Sequence, residues 1–435
     1  MIEDLYSKYL SCDCRITTDS REVNGGEMFF ALKGEKFDGN KYAFQALDKG
    51  ALWAVVNESA ELPEDSRLIR VPDTFTSLQE LAVHHRTHVC SGKLPVIGLT
   101  GTNGKTTTKN LVSAVLERKF RVVATKGNFN NDIGVPLSLL QIRPDTQIAV
   151  IEMGANHPDD IARLVKVCQP DYGLITNVGK AHLLGFGSFE GVRRAKGELY
   201  NWLGSHEGSV IFLNEDDPVL RQMASRQSCH CFGYGVAYQD VELLETTPES
   251  PFLRLRLDGS IVSTNLVGAY NTTNVLAAIA VGDYFGVPRA ESIAAVESFV
   301  PSNNRSQMMR TANSTLVVDA YNANPSSMAA AISNFALMTA TDKTALLGEM
   351  RELGADSVQE HVAVIKRLRE ASIPACLVGE EFRKALEVVE KGSELWFETS
   401  ADLSDYLVKN PLVKGSLVLV KGSRGIEMEK VLPSL

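Results

Sequence analysis

The run TGTNGKTTTK at residues 100–109 constrains this chain more than any other stretch. It is entered from an apolar, strand-like segment, Val96-Ile97-Gly98-Leu99, and leads into Asn110–Arg118, which has helical periodicity. Gly101 and Gly104 let the backbone turn tightly, so that successive N–H groups point at one place. The following helix adds the positive end of its dipole, and the turn becomes a cradle for phosphate. Thr100, Gly101, Thr102, Asn103 and Gly104 would form its wall, and Lys105 would reach the terminal phosphates. Thr106 or Thr107 would offer a hydroxyl to Mg²⁺. The common pattern G-x-x-x-x-G-K-[ST] wants glycine at position 99, where this chain has Leu99.

On either side of this loop, apolar strands alternate with amphipathic helices, the pattern of right-handed βαβ units around a mostly parallel sheet. Strands are expected at Gln147–Glu152, Tyr172–Asn177 and Val210–Leu213, and helices at Asp159–Val167, Phe189–Leu203, Tyr270–Phe285 and Ala290–Val300. Residues 237–267 alternate differently, with a hairpin turn at Asp258-Gly259, and read as an antiparallel addition. The pattern restarts after Pro301, with strands at Leu316–Val318, Lys343–Leu347, Ala375–Val378, Leu395–Phe397 and Ser416–Val420. Before the loop lie short strands at Met28–Leu32, Ala51–Val56 and Leu68–Val71, then a helix at Ser77–Val89 and a linker at Ser91-Gly92-Lys93. The expected fold is α/β in three domains. These are a small N-terminal α/β domain at 1–92, a central phosphate-loop domain at 93–301, and a Rossmann-like doubly wound domain at 302–435.

In parallel sheets, ligands collect at the carboxyl ends of the strands. Glu152 and His182 follow two such strands and should emerge on the rim that carries the loop. A carboxylate suits Mg²⁺, whereas a single loop histidine is as readily an exposed polar residue. Arg193, Arg194, Lys196 and Glu198 read as the solvated face of their helix. Asn128, Asn130 and Asn131 could form an Asn-rich turn or offer neutral donors and acceptors to a substrate.

Several segments resemble the Mur ligases: TGTNGKTTTK, EMGANHPDDI at 152–161 and NVGKAHLLGFGSFEGVRRAKGEL at 177–199. GNFNNDIGVPLSLL at 127–140, DAYNANPSSM at 319–328 and LGEMRELG at 347–354 narrow the resemblance. They match the branch that joins D-alanyl-D-alanine to UDP-N-acetylmuramoyl-tripeptide in peptidoglycan synthesis. The phosphate loop alone would equally fit another Mur-type or folylpolyglutamate-type ligase, or a nucleotide-switched binding protein.

The resemblance implies an ATP-dependent amide ligase that works through an acyl phosphate. Lys196 matches the family's carbamylated lysine and, with Glu152, His182 and Thr106, would hold two Mg²⁺ ions. Lys105, Lys196, His182 and Arg305 are the implied catalytic residues. Asn271 and Asn274 match the adenine segment, Arg305 a phosphate-contacting arginine and Asp319 a ribose-contacting aspartate. Tyr321, Asn322, Asn324, Lys421 and Ser423 are expected at the substrate end, with Arg424 beside them. Ser20, Arg21, Lys33, Asp38 and Gly39 match the UDP-sugar pocket, in which Asn40 replaces a histidine found in many relatives. Closure of the third domain, hinged near Pro301–Asn304, is expected to complete the site.

A net charge of −9 argues against nucleic acid as the main partner. Seven scattered cysteines without a C-x-x-C pair suit a reducing compartment. The absence of a leader-like start or a long apolar run suggests a cytoplasmic, membrane-free protein, with monomer as the default state.

Overall fold

The computed structural model describes residues 2–245, 251–301 and 305–435. Three α/β units follow one another along the chain. In the first, strands β1 (Ile16–Thr17), β2 (Met28–Phe30), β3 (Trp53–Asn57) and β4 (Leu68–Val71) lie parallel in that order. Side chains alternate across a sheet, so the two faces of β2 and β3 enter different cores. Phe29, Ala54 and Val56 pack with Ala43, Ala46 and Leu47 of the helix Ala43–Asp48. Met28, Phe30 and Val55 join Tyr9 of the helix Ile2–Ser11 and Leu78 of the helix Thr74–His88. That second core runs unbroken into the central unit through Val135, Leu139, Leu140 and Ile142. Two buried hydrogen bonds cross the junction: Tyr9 Oη donates to the Leu140 carbonyl at 2.5 Å, and His85 Nε2 to the Ile142 carbonyl at 2.9 Å. The helices at 2–11 and 43–48, both short, were not expected.

The central unit has strands β5 (Val96–Thr100), β6 (Val122–Ala124), β7 (Ile148–Glu152), β8 (Tyr172–Ile175), β9 (Val210–Asn214) and β10 (His230–Tyr234). Their order is β10-β9-β8-β5-β7-β6, and every neighbouring pair is parallel. Helices cover both faces, which is why β5, β7 and β9 are buried at every residue and read as continuous apolar runs. With β5 between β7 and β8, the carboxyl ends of all three strands adjoin. β11 (Glu242–Leu244), β12 (Arg254–Leu257) and β13 (Ser260–Ser263) form a separate antiparallel sheet, turning at Asp258-Gly259, instead of extending the parallel one. Residues 246–250 of that segment lie outside the described residues.

The third unit contains β14 (Gln307–Arg310), β15 (Ser314–Asp319), β16 (Lys343–Gly348), β17 (Ala375–Val378), β18 (Leu395–Phe397) and β19 (Ser416–Lys421). Their order is β14-β15-β19-β16-β17-β18. β14 is an antiparallel edge strand that the periodicity did not reveal, and the others are parallel. Residues 302–304 of the expected hinge also lie outside the described residues. Among the described residues no helix is long and apolar enough to cross a membrane.

The first junction carries a pH liability. Burial depresses the His85 ring to a pKa of about 4, and Nδ1 has no partner. The native state therefore keeps this ring neutral where the unfolded chain, titrating near 6.5, takes up a proton. Its contribution is complete above about pH 6.5 and is lost as pH falls toward 4, worth about 3 kcal/mol over that window. Urea unfolding at pH 7 and pH 4.5 should show wild type losing about 2 kcal/mol more than His85→Gln. Equal losses would refute it.

Candidate active site

A cavity of about 900 Å³ lies where the strand ends of the central and third units face each other. On the central side it is lined by Thr102–Thr107. Gly104 has φ of +78°, and a Cβ there would sit 2.7 Å from Asn274 Oδ1, so only glycine suits the turn. The segment after β8 braces the loop. Thr102 N–H donates to the Asn177 carbonyl and Asn103 N–H to Asn177 Oδ1, both at 3.0 Å. Thr176 Oγ1 donates to the Asn103 carbonyl at 2.6 Å, and Asn177 Nδ2 to the same oxygen at 3.0 Å. Lys105 Nζ donates to the carbonyls of Gly101 and Thr102 at 2.8 and 3.2 Å. Burial holds this ammonium below the usual lysine range; Glu152 opposes that shift and Arg305 adds to it.

Behind the loop, Glu152 ends β7 and is almost wholly buried. Thr106 Oγ1 and Asn130 Nδ2 each donate to its carboxylate at 2.9 Å. Asn271 and Asn274 form a relay beneath the loop. Thr108 Oγ1 donates to Asn274 Oδ1 at 3.0 Å, Asn274 Nδ2 to Asn271 Oδ1 at 2.8 Å, and Asn271 Nδ2 to the Val267 carbonyl at 2.8 Å. Asn131 accepts the Gly134 N–H at Oδ1 at 2.8 Å, and Asn128 and Asn131 both line the cavity.

The third unit closes the opposite wall. Asp319 ends β15 and accepts from Lys421 Nζ at 2.6 Å; Lys421 also donates to the Asn322 carbonyl at 3.1 Å. The Arg305 guanidinium lies 3.6 Å from the centre of the Tyr321 ring, with Arg424 5.0 Å from the same ring. Ser423 Oγ accepts from the Arg351 N–H at 3.0 Å. Asn324 caps the helix Pro325–Leu337 through Oδ1 while its Nδ2 donates to Asn103 Oδ1 at 2.7 Å, tying the two units together.

Several expected residues sit elsewhere. Thr100 is fully buried, and its hydroxyl donates to the Met153 carbonyl, away from the cavity. Gly101 is packed against Thr176. His182 lines the cavity, but its Nδ1 pairs with Glu352 of the third unit; burial pushes this imidazole below its ordinary pKa. Lys196 does not line the cavity. It is buried in the helix Phe189–Gly204, with Nζ 3.4 Å from the Ala155 carbonyl and 5.7 Å from the centre of the Phe186 ring. Burial, reinforced by Lys105, moves its ammonium well below the usual range, so the neutral amine is accessible there. Among the described residues no three His, Cys, Asp or Glu side chains gather as a ready-made metal site.

The five N-terminal candidates belong to a separate face. Arg21 makes a two-pronged bond with Asp19, which draws that carboxyl down to about 2. Ser20 Oγ donates to Gln45 at 3.2 Å. Lys33 pairs with Asp38 as an isolated bridge, and Gly39 is needed because a Cβ would lie 2.5 Å from the Leu32 carbonyl oxygen. Asn40 is buried, and its Oδ1 accepts from the Asn57 N–H at 2.9 Å, so this amide braces the sheet. Beside it, Phe37 and Tyr42 stack with ring centres 5.5 Å apart and remain exposed.

The loop-bracing Asn177 was missed because one asparagine after a strand looks like any turn residue. Lys109 is buried and donates to the Thr125 carbonyl; Thr125 Oγ1 in turn accepts from the Glu152 N–H at 3.0 Å. Only its place in the GKTTTK run hinted at such a role.

Comparison with known proteins matches this arrangement end to end. Three family profiles cover the units in order: "Mur ligase family, catalytic domain" at 15–86, "Mur ligase middle domain" at 99–282 and "Mur ligase, glutamate ligase domain" at 304–424. The UDP-N-acetylmuramoyl-tripeptide–D-alanyl-D-alanine ligase of Bacillus subtilis is 34% identical over 97% of this chain and 92% of its own length. A crystal structure of MurF from Acinetobacter baumannii superposes with a TM-score of 0.84 at 32% identity, covering 97% of this chain and 93% of that one. MurF from Thermotoga maritima, solved in complex with ADP, gives 0.82 at 28% identity, covering 97% and 96%. With the phosphate loop, the facing third unit and the N-terminal sheet all in the family's order, this chain belongs to the Mur ligases.

Proposed function

We infer that this protein joins D-alanyl-D-alanine to UDP-N-acetylmuramoyl-tripeptide at the expense of ATP, in peptidoglycan precursor synthesis. The observation that carries the reading is the convergence of the braced loop 102–107, Glu152 and the third unit's Arg305, Asp319 and Lys421 on one cavity. A carboxylate is a poor electrophile with a poor leaving group, and phosphorylation by ATP repairs both faults. The terminal carboxylate of the tripeptide attacks the γ-phosphorus and ADP departs. The neutral amine of D-alanyl-D-alanine then adds to the acyl carbon, loses a proton, and the C–O bond to phosphate breaks.

In this reading the N–H groups of the loop and Lys105 gather the β- and γ-phosphates. Arg305, held over the Tyr321 ring, meets charge that builds during transfer. Asn271 and Asn274 border the base, and Asp319 the ribose. Tyr321, Asn322, Asn324, Lys421 and Ser423 flank the incoming dipeptide. Ser20, Arg21, Lys33, Asp38 and Gly39 serve the UDP end from the first domain. The division of labour follows domains at 1–92, 93–301 and 302–435.

The Glu152 carboxylate and Thr106 hydroxyl are adjacent hard oxygens, a donor set that fits Mg²⁺ completed by phosphate oxygens and water. Bound there, Mg²⁺ would neutralise phosphate charge. His182 stands at the same cavity as a second ligand. Lys196 fits carbamylation, because a neutral buried amine reacts with CO₂ and the product is a long-armed carboxylate. The protein works alone, in the cytoplasm, with no membrane or nucleic-acid partner.

Phosphate release from ATP should require both UDP-N-acetylmuramoyl-tripeptide and D-alanyl-D-alanine and yield a UDP-pentapeptide. A single amino acid replacing the dipeptide would make it a sister ligase, and release indifferent to any UDP-peptide would sink the reading. Lys196→Ala should lower kcat by about 100-fold or more. Acetate or propionate should restore part of it by supplying the missing carboxylate, and a variant indifferent to added acid would remove the carbamate.

A further inference from the structure

LGEMRELG at 347–354 has so far carried no chemistry, yet it reaches across to the central unit at three points. The Glu352 carboxylate pairs with His182 Nδ1. The Leu184 N–H donates to the Glu352 carbonyl at 3.2 Å, and the Leu184 side chain lies against Gly354. Lys180 Nζ donates to Glu360 at 2.8 Å just beyond. Glu352 and His182 both have left-handed backbones, at φ of +65° and +50°, a conformation that side-chain-bearing residues adopt only when their surroundings hold them.

The segment is itself anchored within the third unit. The Met350 N–H donates to His361 Nε2 at 2.9 Å, and the Arg351 N–H to Ser423 Oγ at 3.0 Å. Because Nε2 of His361 accepts, its proton sits on Nδ1, which donates to the Ser357 carbonyl at 2.7 Å. Glu352 therefore projects from a fixed support. A carboxylate accepts only, so the ring nitrogen facing it must carry hydrogen.

We propose that Glu352 is a positioning residue: from the third unit it fixes His182 as the Nδ1–H tautomer, leaving the Nε2 lone pair for the reaction cavity. Closure of the third domain then completes the chemistry of the central one, since an open enzyme lacks the group that orients His182. A carboxylate behind a histidine fixes the ring's orientation and raises its basicity as a ligand. Sequence gives no warning of this, because the partners are 170 residues apart.

The kinetic arm of the test rests on the ligase reading above; the spectroscopic arm does not. Glu352→Ala and Glu352→Gln would be compared with wild type by kcat, KM for the UDP substrate and ring ¹⁵N shifts of His182, the latter in enzyme saturated with ADP. Glutamine still offers an acceptor oxygen. It should retain the Nδ1–H tautomer and a kcat within about fivefold of wild type. Alanine should give a mixture of tautomers and lower kcat by about 10- to 100-fold with KM unchanged. Wild-type shifts in the alanine variant, or equal kcat losses in both variants, would overturn the proposal. If the ligase reading alone were wrong, no ligation rate would exist to compare, but the tautomer change would remain.

Discussion

The phosphate loop is shaped from outside. Its glycines permit the turn but do not hold it, and a loop free to sample several paths would aim its N–H groups at several points. Thr176 and Asn177, at the end of the neighbouring strand, remove that freedom with four hydrogen bonds to the backbone of Thr102 and Asn103. The same stretch of chain continues to Lys180 and His182, which meet the third domain. One short segment thus braces the loop and touches the domain that faces it across the cavity. Preorganised dipoles need no rearrangement when charge develops, and for that reason such fixing bears on rate as well as shape.

The two domain junctions are built from different materials. The first and central domains share an apolar core that includes Tyr9, Leu78, Val135 and Leu139. Separating them would expose that surface at roughly 25 cal/mol per Å². The third domain has two cores, one of which Val267 of the central domain enters, and it meets the phosphate side of the central domain through the Asn324–Asn103 side-chain hydrogen bond and the pairs Lys180–Glu360 and His182–Glu352. Pairs open to solvent on one side, as these are, are worth about 0–1 kcal/mol each, and water replaces them readily. The second junction thus rests largely on polar contacts that water can replace.

Local patterns in the chain revealed what local forces decide. Buried parallel strands are continuous apolar runs, and β17 coincides with the run Ala375–Val378. Glycine and lysine in a strand–helix turn announced the tight loop that lines the cavity. Short elements escaped, such as the helix Ala43–Asp48 and the edge strand β14, because a few residues carry too little periodicity. The lining of the cavity was legible where it follows a strand, as Glu152 and Asp319 do. Lys196 read as solvated, since Arg193, Arg194 and Glu198 surround it in sequence; tertiary packing buries the lysine and leaves Arg194 exposed. Glu352 and Asn177 depend on partners brought close only by the fold.

The core shared by the first two domains also bears on how the protein is made. A chain leaves the ribosome from its N-terminus, and domains generally fold as they emerge. Here the helices Ile2–Ser11 and Thr74–His88, which cover one face of the first sheet, pack in turn on Val135–Ile142, well past the end of their own domain. For that interval Tyr9 and His85 lack the carbonyl partners that Leu140 and Ile142 supply in the finished fold. The nascent N-terminal domain is a half-finished fold awaiting its second wall, and that stretch of synthesis is where a chaperone would find most to hold.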